Sequence, residues 1–194
     1  RYGAQPDVIS YTSVISACAK NSDGKAAEQW LESMLSKKIQ PDVVAMSAVV
    51  DSFSKAGDIK TAAAFLHKML YLEISPTVVS FNSIISAVSK LEDSRVAVEW
   101  LERLQKSGLE PNVISFSAVI HACAARGDVE QATSWLQRMY DANVEPNKIT
   151  FDAVIHSLHR AGDTKRAKKW MLRMEKAGFA PSRLAIRQAE AGKF

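Results

Sequence analysis

Only two of the 194 residues are cysteines, Cys18 and Cys123, and they stand 105 positions apart. That is too few for a disulfide framework, and without close pairing they cannot form a zinc site. Both fall in an apolar column with Phe53, Val88 and Leu158, so buried, reduced thiols and a reducing interior are expected. No apolar run approaches the roughly 20 residues that span a bilayer, which leaves no membrane reading. Gly-rich phosphate loops, the nucleophile elbow and the zinc deaminase signature H-x-E…P-C-x-x-C are all missing. His121 and His156 are one repeat apart, and His156 and His159 three residues apart on one helix, but no Cys or paired carboxylate completes a metal site, and solvent-facing histidines are expected. No catalytic residue, cofactor, metal or small-molecule substrate is therefore expected. The chain opens on Arg1 with no Met and no apolar or Arg/Ser-rich leader. It reads as a piece of a longer precursor, with any targeting segment outside it.

What is present is a repeat. All six prolines, Pro6, Pro41, Pro76, Pro111, Pro146 and Pro181, are spaced by 35 residues. Asp23, Asp58, Asp93, Asp128 and Asp163 form a second column, and Ala27, Ala62, Ala97, Ala132 and Ala167 a third. The four tryptophans, Trp30, Trp100, Trp135 and Trp170, share a column whose other member is Phe65, and packing between helices accounts for them better than a bare stacking platform. Self-similarity at such a period marks a repeat array. The composition, 47% hydrophobic and 24% charged, suits a packed protein, and a net charge of +4 favours an anionic partner without naming one.

Inside one unit, Val8, Tyr11, Val14, Ile15 and Cys18 recur at steps of three and four, as do Ala27, Trp30, Leu31, Met34 and Leu35. Each unit therefore reads as two helices, the first held by packing because its β-branched residues locally favour a strand. Proline suits the first turn of a helix, and Asp7, Asp42, Thr77, Asn112 and Asn147 just before the Val8 column supply mostly good capping chemistry. Gly57, Gly127 and Gly162 suit left-handed helix ends, and the Asp column after them can cap the second helix. Ala17, Ser52, Ala87, Ala122 and Ser157, with the Ala27 column, keep the contact between the two helices small. One such hairpin cannot bury its apolar faces alone, whereas a stack can. The expected fold is all-α, an α-solenoid of helix-turn-helix repeats forming a right-handed superhelix.

The phrase "PDVISYTSVISACAK" followed by "AAEQWLESMLSKKIQ" resembles the pentatricopeptide repeat, with its opening proline and acid or amide, Val-rich start, aromatic and "[IV]I". The tetratricopeptide repeat has 34 residues and a Gly-x-x-Tyr element missing here. The resemblance divides the chain into a repeat tail at 1–6, whole repeats at 7–41, 42–76, 77–111, 112–146 and 147–181, and the first helix of a partial sixth at 182–194. Tryptophan before the terminal Met departs from the family's usual Leu or Phe and should alter packing only.

The resemblance implies sequence-selective binding of single-stranded RNA, one base per repeat, read by a few side chains of the first helices. Its base-selecting pairs would be Thr12 with Asp42, Ser47 with Thr77, Asn82 with Asn112, Ser117 with Asn147, and Asp152 with Ser182. By family analogy these favour G, a purine, a pyrimidine and A in that order, with nothing assigned to the last. Ile9, Val44, Val79, Ile114 and Ile149 match positions that wedge between bases, though a core role demands the same stiff side chain. Lys20, Lys55, Lys90 and Arg160, with Arg126 one residue beyond their column, stand near the ends of the first helices. There they can complement the helix dipole, contact phosphates, or both. Those five and Lys148 oppose only Asp51 and Asp152 on the first helices, whereas second helices such as "EWLERLQK" are charge-balanced. Members of the family act in mitochondria or chloroplasts on RNA stability, processing, splicing, editing or translation, so an organellar site and RNA-processing protein partners are implied. The competing expectation is a protein-binding scaffold of the tetratricopeptide kind.

Overall fold

The computed structural model describes residues 5–91, 93–183 and 186–187. Among them are ten helices and no strand: α1 Val8–Lys20, α2 Gly24–Ser36, α3 Val43–Lys55, α4 Ile59–Tyr71, α5 Val78–Lys90, α6 Ser94–Lys106, α7 Val113–Arg126, α8 Val129–Asp141, α9 Lys148–Arg160 and α10 Thr164–Lys176. None of these helices is long and apolar enough to cross a membrane. The expected repeat tail at 1–6 and partial helix at 182–194 fall largely outside the described residues.

The chain forms two compact units, Arg1–Ala87 and Val88–Phe194. In the first, α1 packs on α2 and α3, and α3 on α2 and α4. In the second, α7 packs on α6, α8 and α9, and α9 on α8 and α10. Helices α3, α7 and α9 thus each touch their own partner, the second helix before them and a neighbouring first helix, which is the packing of an α-solenoid. The Ala27 column permits this approach: all five alanines are wholly buried.

Capping sets the helix starts. Asp23, Asp58, Asp93, Asp128 and Asp163 each accept a backbone N–H three residues on, at the head of a second helix. Those bonds hold the carboxyls of Asp58 and Asp163 below the usual carboxylate range, with Arg166 helping at Asp163. At the first helices Asp7, Asp42, Asn112 and Asn147 cap in the same way. The prolines stand one residue ahead of these caps, outside the first turn where their chemistry placed them. There their fixed φ stiffens the approach to the cap. Gly127 ends α7 in the left-handed region at φ 80°, as expected.

The second close fit was not anticipated. A Cβ on Gly24 would lie 2.6 Å from the Phe53 ring, so Phe53 fills the space that Gly24 leaves. Gly24→Ala should therefore lower stability by about 1–3 kcal/mol, although alanine is the better helix former. Thermal melts of Gly24→Ala alone and combined with Phe53→Leu check this; the second change should restore most of the loss.

Burial departs from expectation at α1, where no described helix covers the face opposite α3. Phe53, Val88, Cys123 and Leu158 are buried, but Cys18 of the same column is only half-buried. Trp30 is 43% exposed, while Phe65, Trp100, Trp135 and Trp170 are buried as packing residues. Burial also pushes the Cys123 thiol up to about 11, so it stays protonated and unreactive at neutral pH. Native protein should consume one equivalent of a thiol reagent rapidly, at Cys18, and a second only after denaturation. Two fast equivalents would contradict the burial of Cys123.

Candidate nucleic-acid interface

The capping residues also join neighbouring hairpins. Asp42 Oδ1 accepts the Ala45 N–H at 2.7 Å and the Thr12 hydroxyl at 3.3 Å, so the first expected pair is in direct contact. Its Oδ2 has no partner among the described residues. Since the Thr12 hydrogen points to Asp42, both Thr12 Oγ1 and Asp42 Oδ2 are left as acceptors.

In the second unit the link runs through one more hydroxyl. Asn147 Oδ1 accepts the Thr150 N–H at 2.9 Å and the Thr150 hydroxyl at 2.8 Å, and Ser117 Oγ lies 2.7 Å from Thr150 Oγ1. Because the Thr150 hydrogen goes to Asn147, Ser117 must donate to Thr150. Ser117 Oγ is then left as an acceptor, and Asn147 Nδ2, unpartnered among the described residues, as a donor. Capping therefore fixes which atom of an Asp or Asn turns outward.

Ser47 Oγ lies 2.8 Å from Ser80 Oγ, which reaches the Thr77 N–H and hydroxyl at 3.4 Å. Three hydroxyls can reorient, so this pair presents no fixed pattern. Asp152 Oδ2 is bound to Lys148 at 3.0 Å, and its Oδ1 is buried with no hydrogen bond. Lys148 also donates to the Ala180 carbonyl at 3.1 Å, while Ser182 is half-buried. Asn82 belongs to the first unit and is buried; Asn112 belongs to the second, where it is exposed and closes a capping box with Ser115 on α7.

Ile9, Val44, Val79, Ile114 and Ile149 are 55–74% exposed, so core packing does not account for the column. In the first unit Val44 and Val79 border a cavity of about 450 Å³ together with Ser47 and Thr77. That lies in the range of small-ligand sites, roughly 300–1,000 Å³. Asp51 also lines it, accepting from Ser83 Oγ at 3.0 Å and pairing with Lys55 at 2.6 Å.

Lys20, Lys55, Lys90, Arg126 and Arg160 are all exposed. Lys20, Lys90 and Arg126 form no ion pair among the described residues. Lys55 is held by Asp51, and Arg160 Nη1 donates to the Ala125 carbonyl at 3.5 Å, near the end of α7. The Lys55–Asp51 pair is open to water, where such a bridge contributes at most about 1 kcal/mol, so an approaching anion can take the place of Asp51.

The family model described as pentatricopeptide repeat-containing protein matches residues 8–139, and one described as pentatricopeptide repeat domain matches residues 134–185. The chain belongs to the pentatricopeptide repeat family. No curated protein sequence matches it. The pentatricopeptide repeat (PPR) domain of Arabidopsis thaliana protein-only RNase P 1, solved in complex with tRNA, has TM-score 0.79 at 14% identity, covering 93% of this chain and 95% of that one. PPR10 from maize has TM-score 0.73 at 24% identity, covering 97% of this chain and 27% of that one. PPR10 in complex with an 18-nt psaJ RNA element has TM-score 0.70 at 21% identity, over 97% and 28%. At these identities the likeness is one of fold. The chain spans just over a quarter of PPR10.

Two features of these pentatricopeptide repeats escaped the sequence reading. Ser80 and Thr150 bridge the members of two expected pairs, and the column Ser10, Ala45, Ser80, Ser115, Thr150, polar at four of five places, carried that signal. His159 is half-buried, not solvent-facing: its Nε2 is buried without a hydrogen bond, and burial pulls its pKa below the usual histidine value. His121 and His156 are exposed. Among the described residues no group of three or more His, Cys, Asp or Glu could hold a metal ion.

Proposed function

We propose that this member of the family binds single-stranded RNA sequence-selectively, one base per repeat, with 7–41, 42–76, 77–111, 112–146 and 147–181 as reading units. The observation that carries the reading is the outward pair of polar atoms fixed by capping. Thr12 with Asp42 presents two acceptors, which suit the N1–H and N2–H₂ donors of guanine. Ser117 with Asn147 presents an acceptor and a donor, which suit N6–H₂ and N1 of adenine. Cytosine has a similar edge, but the small serine leaves room for a purine. Reorienting hydroxyls at Ser47 and Thr77 favour a purine weakly, Asn82 with Asn112 carries the family's pyrimidine preference, and Asp152, tied to Lys148, reads nothing defined.

The exposed Ile9, Val44, Val79, Ile114 and Ile149 separate successive bases, and Lys20, Lys55, Lys90, Arg126 and Arg160 neutralise the phosphates. The bound order is 5′-G-purine-pyrimidine-A-any-3′. Acting this way in a mitochondrion or chloroplast, with RNA-processing proteins as partners, the chain would take part in RNA stability, processing, splicing, editing or translation. The solved relatives with tRNA and with an 18-nt RNA element support an RNA partner.

The test is fluorescence anisotropy with GAUAA in a U-rich strand against a scrambled strand, at two salt concentrations. Preferential, salt-sensitive binding of GAUAA is expected. Equal binding of the scrambled strand removes sequence selectivity, and no RNA binding at either salt leaves the protein-binding scaffold.

A further inference from the structure

The charge balance expected of the second helices fails most strongly in the last of them. Helix α10 carries Lys165, Arg166, Lys168, Lys169, Arg173 and Lys176 against Glu175 alone, a surplus of five in a chain whose net charge is +4. At 100° per residue, all of these cations except Lys168 project within an arc of about 100°, spread over about 16 Å of the axis. Arg166 and Arg173 of this stripe reach Glu130 and Gln137 of α8, and none of it belongs to a reading pair.

The face is built as two clefts on either side of Arg173. Its guanidinium stacks 4.5 Å from the Trp170 ring centroid, and Nη1 donates to Gln137 Oε1 at 3.4 Å. One cleft, of about 380 Å³, adds Lys169 and the Thr133 and Ser134 hydroxyls; the other, of about 430 Å³, adds Lys176 and Tyr140. Two acids border them: Glu130, already bound to Arg166 at 2.6 Å, and Glu145. Lys165, Lys169 and Lys176 are exposed and form no ion pair among the described residues.

The chemistry selects the partner. A docked protein normally needs a buried apolar anchor. Here Trp170 lies beneath Arg173, and Leu172, the exposed apolar residue of α10, lines neither cleft. Single-stranded bases need an open aromatic surface to stack on; here Trp170 is buried under Arg173, and the half-buried Tyr140 ring is already packed on Trp170 and Phe151. Spaced cations with the Ser134 hydroxyl between them fit phosphates, and the Thr133 hydroxyl, whose hydrogen goes to backbone carbonyls, can accept from a 2′-hydroxyl, while the Gln137 amide is held by Arg173 and Asp141. We propose that the α8–α10 face is a second RNA site, which grips the sugar–phosphate backbone of a double-helical stem through Lys165, Lys169, Arg173 and Lys176 without reading its sequence.

The test uses the whole chain and an RNA duplex of about 16 base pairs, whose paired bases the first helices cannot read. In Lys165→Gln/Lys169→Gln/Lys176→Gln, exposed side chains alone are changed, and an unaltered circular-dichroism melt confirms folding. Duplex affinity should fall at least about tenfold at low salt, and the log–log salt slope by about 2–3, from roughly 0.7–0.9 per phosphate contact. Affinity for the GAUAA strand should stay within about twofold. A duplex bound as well by the variant, or not bound by the parent chain, overturns the proposal. So does loss of duplex binding only in Lys20→Gln/Lys90→Gln/Arg126→Gln, or displacement of the duplex by polyglutamate as effectively as by unlabelled RNA. If instead GAUAA shows no preference while the duplex response holds, the base-reading account fails and this site stands.

Discussion

Replacing Asp42 by Asn moves the preferred first base from G to A. The cap needs only Oδ1, which Asn retains, so the substitution exchanges the outward acceptor for a donor and leaves the start of α3 intact. A guanine N1–H would then meet an N–H, while adenine N1 gains a partner. A matched set of hydrogen bonds to a base edge discriminates by about 1–3 kcal/mol, or roughly 5- to 150-fold. Competition between GAUAA and AAUAA should therefore reverse in the variant, with the melting temperature nearly unchanged. If both RNAs weaken equally, Asp42 is a cap and no more.

The second large effect is expected at the exposed wedge. Val44→Ala/Val79→Ala should reduce affinity for GAUAA by about 10- to 100-fold, because each valine loses its contact with the faces of neighbouring bases. Stability should hardly change, since the two side chains are 55% and 65% exposed in the free protein. The combination of unchanged melting and lost binding separates a ligand-facing role from a packing one. A lower melting temperature with unaltered affinity would contradict it.

The repeat and its punctuation were legible because each rests on local chemistry. Asp23 and its four column mates cap from sequence position alone, and the alanine column is small where two helices meet. Burial was less legible, because it depends on neighbours several turns away in space. Nothing near Cys18 in sequence distinguishes it from Cys123, yet α1 has described helices on one side only. The fit of Phe53 to Gly24 was hidden for the same reason: two columns compensate across the α2–α3 contact.

At the candidate interface the residue types were readable and their free valences were not. Thr12 and Asp42 look like any hydroxyl and acid until the cap consumes Oδ1. The role of Thr150 in fixing the donor direction at Ser117 is likewise a matter of distances. Asp152 presents the opposite case. Lys148 precedes it by four residues, a helical pairing visible in sequence, and the resulting salt bridge occupies the carboxylate expected to meet a base.

The most direct test of one repeat reading one base is a complete substitution scan of the five positions in GAUAA, with affinities measured at one fixed salt concentration. The account predicts sharp losses for any change of the first G or the fourth A, a purine preference at the second position, a pyrimidine preference at the third, and indifference at the fifth. Losses spread evenly over all five positions, or a pattern that stays put when Asp42 becomes Asn, would contradict it.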